Sequence, residues 1–166
     1  MSKFLGIYLF LLSVLIGFEL FAGIAVAPAI FHPENSVGVG VLSEFQSGQI
    51  MSGIFIKMNK FLLIVSILSF LFEMINFANN KAQKFNIKFS TIMIATINLL
   101  LALAFILYFT DYILNAQSIG VSAIQTDEFR QIHSASELCI KILLVLQVVL
   151  FFVKFQTIKM AKSDEI

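Results

Sequence analysis

The apolar positions of the chain gather into four long stretches, about Phe4 to Phe31, Ser52 to Asn79, Phe89 to Asn115 and Glu137 to Phe155. A helix of about 20 residues crosses a hydrocarbon core of about 30 Å, so each stretch predicts a transmembrane helix. The stretches lack strict alternation and are far longer than membrane strands of about 10 residues, which argues against a β-barrel. Between them, Asn80 to Lys88 is short and polar and makes helices 2 and 3 an antiparallel hairpin. The segments His32 to Met51 and Ala116 to Ser136 predict two longer loops, and Ser43-Glu44-Phe45-Gln46 predicts a cap, or an interfacial turn, ahead of helix 2. The expected fold is an all-α integral membrane protein, a four-transmembrane-helix antiparallel bundle forming a single domain over residues 1–166.

Composition strengthens this reading. Hydrophobic residues make up 59% of the chain and charged residues 13%, with a mean hydropathy of +0.95, whereas soluble domains carry about 25% charged residues. The lipid bilayer is the expected partner. A net charge of +1 with scattered lysines supplies no field for nucleic acid. Cys139 is the single cysteine, so neither an intrachain disulfide nor a paired-cysteine metal site can form. Lys3 and Ala25-Val26-Ala27 imitate a signal peptide. The apolar run nevertheless exceeds the usual core of about 7–15 residues, and Pro28 would follow the cut, so a retained first helix is expected.

Charge asymmetry predicts orientation. Lys3, Lys81, Lys84, Lys88, Lys154, Lys159 and Lys162 share one side, and Arg130 is the clear loop cation of the other. The positive-inside bias then puts both termini in the cytoplasm of a bacterial inner membrane, and Asp164 and Glu165 count little against it. In helix 1, Gly23 with Ala27 and Ala25 with Ala29 form small pairs at four-residue spacing, which predicts close packing of that helix. The 19 Phe residues read as lipid-facing and packing bulk rather than an aromatic box.

Several short motifs fall in a distinctive order. Helix 1 carries Gly17 and Gly23 with phenylalanines between them, followed by Ala27-Pro28-x-x-Phe31; helix 2 opens Gly48-x-x-x-x-Gly53-x-Phe55-x-x-x-Asn59; and Ile132-His133-Ser134-x-Ser136 precedes helix 4. This ordering resembles the four-helix membrane family known as domain of unknown function 4149, whose eukaryotic relatives are the transmembrane protein 205-like proteins. The resemblance covers most of the chain and implies a four-helix bundle without an agreed activity. Membrane protoporphyrinogen oxidases and copper-resistance D-like proteins resemble the chain in span number, and both are associated with histidines in or beside helices. Here His32 and His133 fall at helix ends, outside the spans.

Candidate chemistry rests first on ionisable residues inside apparent spans: Glu19, Lys57, Lys60, Glu73, Asp111 and Lys141. A charge at the bilayer centre costs about 2.5–3.5 kcal/mol on insertion scales, so such residues usually pair, face the bundle interior or line a pathway. Asp111 and Lys141 each lie about one turn inside the outer end of consecutive helices and form the expected pair. Lys57 and Lys60 lie about one to two turns into helix 2, and Glu19 sits deeper, near the middle of helix 1. Glu73 is expected to snorkel to the cytoplasmic interface. Two readings stand side by side: static salt bridges that fix register, and a polar network of Glu19, Lys57, Lys60, Asp111 and Lys141 that binds an ion, a proton or a small polar ligand.

His133 and Glu137 are spaced i, i+4, and with His32 they supply nitrogen and oxygen donors for a divalent metal or a haem. A capping box of Ser134 with Glu137 competes for the same residues. No P-loop, nucleophile elbow or zinc-protease motif is present, so catalysis has no sequence support. The expected function is transport or sensing of a small polar species or ion, or service as an accessory subunit with a membrane-protein partner or in a homo-oligomer. The alternative is a metal- or haem-binding membrane redox protein.

Overall fold

The computed structural model describes the backbone of residues 2–35, 38, 40–80 and 83–163, and the side chains of all of these except 2, 3, 35 and 158–163. Helix α1 runs Ser2–Phe21, widens into a π-helical turn at Ala22–Val26 and finishes at Ala27–Phe31. Helix α2 spans Glu44–Asn79. Helix α3 runs Phe85–Ala104, passes through a second π turn at Phe105–Thr110 and ends with Asp111–Ile119. Helix α4 spans Asp127–Ser163. All four are long and apolar enough to cross a membrane, and the chain is an integral membrane protein.

The helices pack as an antiparallel square. α1 and α3 each lie against α2 and α4, so α1 faces α3, and α2 faces α4, across the diagonals. Each helix buries one stripe: Tyr8, Leu12, Leu15, Glu19 and Ala22 on α1; Met58, Leu62, Val65, Ser69 and Glu73 on α2; Thr91, Ala95, Asn98, Ala102 and Phe105 on α3; and Cys139, Leu143, Gln147, Leu150 and Lys154 on α4. Steps of three and four residues average about 3.5, the seam period of left-handed bundles. The opposite faces carry exposed Phe4, Phe10, Phe21, Ile64 and Phe152, as lipid contact requires.

Local chemistry explains the breaks. Ser43 caps α2 through a capping box: its Oγ accepts from the Gln46 amide at 3.2 Å, and its own amide donates to Gln46 Oε1 at 3.0 Å. Pro28 has no amide hydrogen, and the π turn just before it, in which the Ala27 amide donates to Ala22 O, is the local adjustment that accompanies such an interruption. Ser47 Oγ donates to Ile30 O at 2.9 Å and ties the start of α2 to the end of α1. Gly120, at φ +119°, turns the chain between α3 and the short helix Val121–Ile124, a conformation that favours glycine.

Three expectations change. The loops are shorter, because α2 begins at Glu44 rather than Ser52, α3 continues to Ile119, and α4 begins at Asp127 rather than Glu137. Polar helix ends carry no hydropathy signal. Ser134 therefore lies inside α4, and the cap belongs to Thr126, whose Oγ1 accepts from the Phe129 amide at 3.1 Å. Finally, Gly23, Ala25 and Ala29 are exposed on the outside of the bundle, while Ala22 and half-buried Ala27 carry the packing against α2.

Candidate functional site

The buried stripes bring polar side chains together along the bundle axis. Near the end of the bundle that holds the α2–α3 turn, Lys154 Nζ donates to Glu73 Oε2 at 3.0 Å, joining α4 to α2 across a diagonal. Lys154 is 2% exposed and Glu73 0%. The ammonium also lies 5.3 Å from the centre of the Phe72 ring, and Tyr8 stacks on that ring at 4.5 Å between centroids. The Tyr8 hydroxyl stands beside Ser69 and Glu73. An ammonium over a ring face gains a further electrostatic contact where water is excluded.

About two turns away on α4, Gln147 Nε2 donates to Glu19 Oε1 at 3.0 Å, and both residues are buried. Glu19 thus has an amide partner, and no cation lies within salt-bridge distance of it among the described residues. Between the two carboxyl groups is a cavity of about 10 Å³, lined by Leu12, Leu15, Val65, Ser66, Ser69, Asn98 and Gln147. That volume admits about one water. Among the described residues, Ser69 Oγ, Asn98 Oδ1 and Gln147 Oε1 are buried without a protein hydrogen-bond partner, as are Glu19 Oε2, Glu73 Oε1 and the Tyr8 hydroxyl. Leaving such a group unmatched costs about 1–3 kcal/mol. These groups gather in one seam, three of them on the cavity's lining residues.

Further along, Asn59 Nδ2 donates to Thr110 Oγ1 at 3.0 Å, and Thr110 Oγ1 donates to Phe105 O at 2.9 Å within the π turn of α3. This threonine satisfies a carbonyl that the widened turn presents to it and links α3 to α2. At the opposite end Gln83 closes the bundle: it accepts from Asn76 Nδ2 at 2.9 Å and donates to Thr157 Oγ1 at 3.4 Å.

The sequence candidates divide. Of the polar network, Glu19 lies in the seam, whereas Lys57, Lys60, Asp111 and Lys141 are exposed on the outer surface. The expected Asp111–Lys141 pair does not form. Lys141 Nζ meets Glu137 Oε2 at 3.1 Å and Asp111 Oδ2 accepts from Asn115 Nδ2 at 3.1 Å, each partner one turn away on its own helix. Glu73 does not snorkel, because Lys154 reaches it inside the bundle. Both are readable as stripe positions, Glu73 four residues after Ser69 and Lys154 seven after Gln147, but hydropathy alone places them at the interface and in the tail. Lys81, Asp164 and Glu165 lie outside the described residues, as do the side chains of Lys3, Lys159 and Lys162.

The histidines do not converge. His32 Nδ1 lies 3.4 Å from Glu34 Oε1 and His133 Nε2 lies 3.4 Å from Glu137 Oε1, two separate and largely exposed pairs. Among the described residues no three His, Cys, Asp or Glu side chains are placed to hold a metal ion. Glu137 is moreover shared with the Lys141 ammonium, a poor neighbour for a cation. This donor set does not fit a divalent metal, and each histidine has a carboxylate of its own segment as its neighbour.

No curated protein and no solved structure matches the chain. A family model described as a domain of unknown function, DUF4149, matches residues 10–122. The matched stretch holds Glu19, Glu73 and Asn98 of the seam, and Gln147 and Lys154 lie beyond it. Since the match covers more than half of its length, the chain belongs to the DUF4149 family.

Proposed function

We propose that this protein moves or senses protons through the polar seam of its bundle, in a bacterial inner membrane with both termini in the cytoplasm. The observation that carries the reading is the placement of two buried carboxyl groups, Glu19 and Glu73, on either side of a cavity the size of one water, with Ser66, Ser69, Asn98 and Gln147 among the residues around it. Intramembrane acids facing a bundle interior are the material of proton relays. The cavity's size favours a proton over any larger solute, since nothing beyond a water fits it. A relay would run from Glu19 through Gln147 and the cavity hydroxyls and amides to Tyr8, Glu73 and Lys154. The orientation is supported by the loop and tail cations: Lys154 leaves the tally because it pairs with Glu73, but Lys3, Lys81, Lys84, Lys88, Lys159 and Lys162 still outweigh Arg130.

Proteoliposomes with a trapped pH indicator and a potassium–valinomycin potential test this. Wild-type vesicles should acidify faster than protein-free ones, and Glu19→Gln should bring the rate back to the protein-free level. Equal rates for wild-type and protein-free vesicles would reject proton movement. The closed Glu73–Lys154 pair favours a second reading, in which the seam only fixes helix register. On that reading Glu73→Gln lowers stability and flux is absent throughout.

A further inference from the structure

We infer that the groove between α1 and α2 is a binding site for an acidic phospholipid, with one acyl chain along the groove and the phosphate on Lys57. The groove has a volume of about 310 Å³ and lies between Phe18 and Phe21 on one side and Ile54, Met58 and Phe61 on the other, with Lys57 on its wall. The π turn of α1 contributes Ala22 and Val26 to its lining, the smaller side chains among bulkier neighbours. Its lining is otherwise apolar, which suits a hydrocarbon chain and no polar solute.

Charge identifies the headgroup. Lys57 and Lys60 are exposed, and among the described residues neither forms an ion pair or hydrogen bond. They lie at i, i+3 on one face of α2, about 8 and 12 Å below Ser52, where the apolar stretch begins. Helical Cα–Cβ bonds tilt toward the N-terminus of their helix, which favours the reach of both lysines toward the interface at the Glu44 end. A lysine in that position without an acid of its own chain is matched by the phosphate of a lipid whose tail occupies the adjoining groove. A zwitterionic headgroup carries its own cation and matches it less well. The site is on the lipid-facing surface and is independent of the buried seam.

Native mass spectrometry of the detergent-purified protein, titrated with phosphatidylglycerol or phosphatidylcholine of the same chains, tests the assignment. Wild-type protein should retain phosphatidylglycerol preferentially, and each of Lys57→Gln and Lys60→Gln should weaken that retention about fivefold, the contribution of one basic residue near an anionic bilayer surface. Lys57→Arg should keep the preference, which guards against reading a folding defect as lost binding. A phosphatidylglycerol carrying a photoreactive acyl chain should label the peptides holding Phe18 to Val26 and Ile54 to Phe61. Equal retention of the two lipids by wild type, undiminished retention in the Lys57→Gln, Lys60→Gln double variant, or labelling confined to α3 and α4 would each overturn the proposal.

Discussion

Lys154 reaches Glu73 across the diagonal of the bundle, at 3.0 Å, and the two side chains are among the most buried in the protein. Partners on diagonal helices are the farthest apart in a four-helix square, so this contact needs a long side chain to span the distance. Desolvating two charges is costly, and their attraction offsets that cost only with good geometry.

The first prediction follows from that balance. Lys154→Met leaves Glu73 without its cation and should cost about 3–5 kcal/mol in detergent unfolding, while adding Glu73→Gln should recover much of the loss. A double-mutant cycle reads the coupling directly. Additive single effects would show that the pair is not coupled.

Glu19 and Gln147 make a second, gentler test. Glu19→Gln keeps an acceptor for Gln147 Nε2 and should hold stability near wild type, whereas Glu19→Leu leaves that buried donor unmatched and should cost about 1–3 kcal/mol. The comparison of the two melting curves checks it; an equal loss in both variants would point to the charge rather than the hydrogen bond.

In the π turn of α3, Thr110 both donates to Phe105 O and accepts from Asn59. Thr110→Val removes both bonds at nearly constant volume and should destabilise by about 1–3 kcal/mol, with Thr110→Ser restoring most of it. Equal stability of the Val variant would mean that the turn is held by packing alone.

Topology can be read by chemical labelling. In a Cys139→Ser background, Gln125→Cys in the turn before α4 should react with an impermeant thiol reagent from outside intact cells, and Asn86→Cys at the start of α3 should not. The reverse pattern would invert the orientation.

How much of this is legible in the sequence depends on the length scale of the signal. The four spans and the Ser43–Gln46 cap are readable because each is written within a few consecutive turns. Glu73 with Lys154, and Glu19 with Gln147, are pairs distant in sequence, and a depth estimate from hydropathy places each residue by its neighbours rather than by its helix face. The phase of the buried stripes carries the missing information, since all four residues fall on the steps of three and four that mark the seam. Lys141 shows the converse: Glu137 one turn earlier is the nearer partner, and a local acid prevails over one on another helix when both are exposed. The outward turn of Gly23, Ala25 and Ala29 has no such signal, because small-residue spacing is the same whichever way the face points.

The most direct test of proton exchange in the seam is infrared difference spectroscopy of the reconstituted protein across a pH step, comparing wild type with Glu19→Gln and Glu73→Gln. A seam that exchanges protons predicts a carboxyl band that changes with the step, shifts in deuterated water and disappears in Glu19→Gln. No pH-dependent carboxyl band in the wild type, or a band unaffected by either substitution, would contradict proton exchange through these residues.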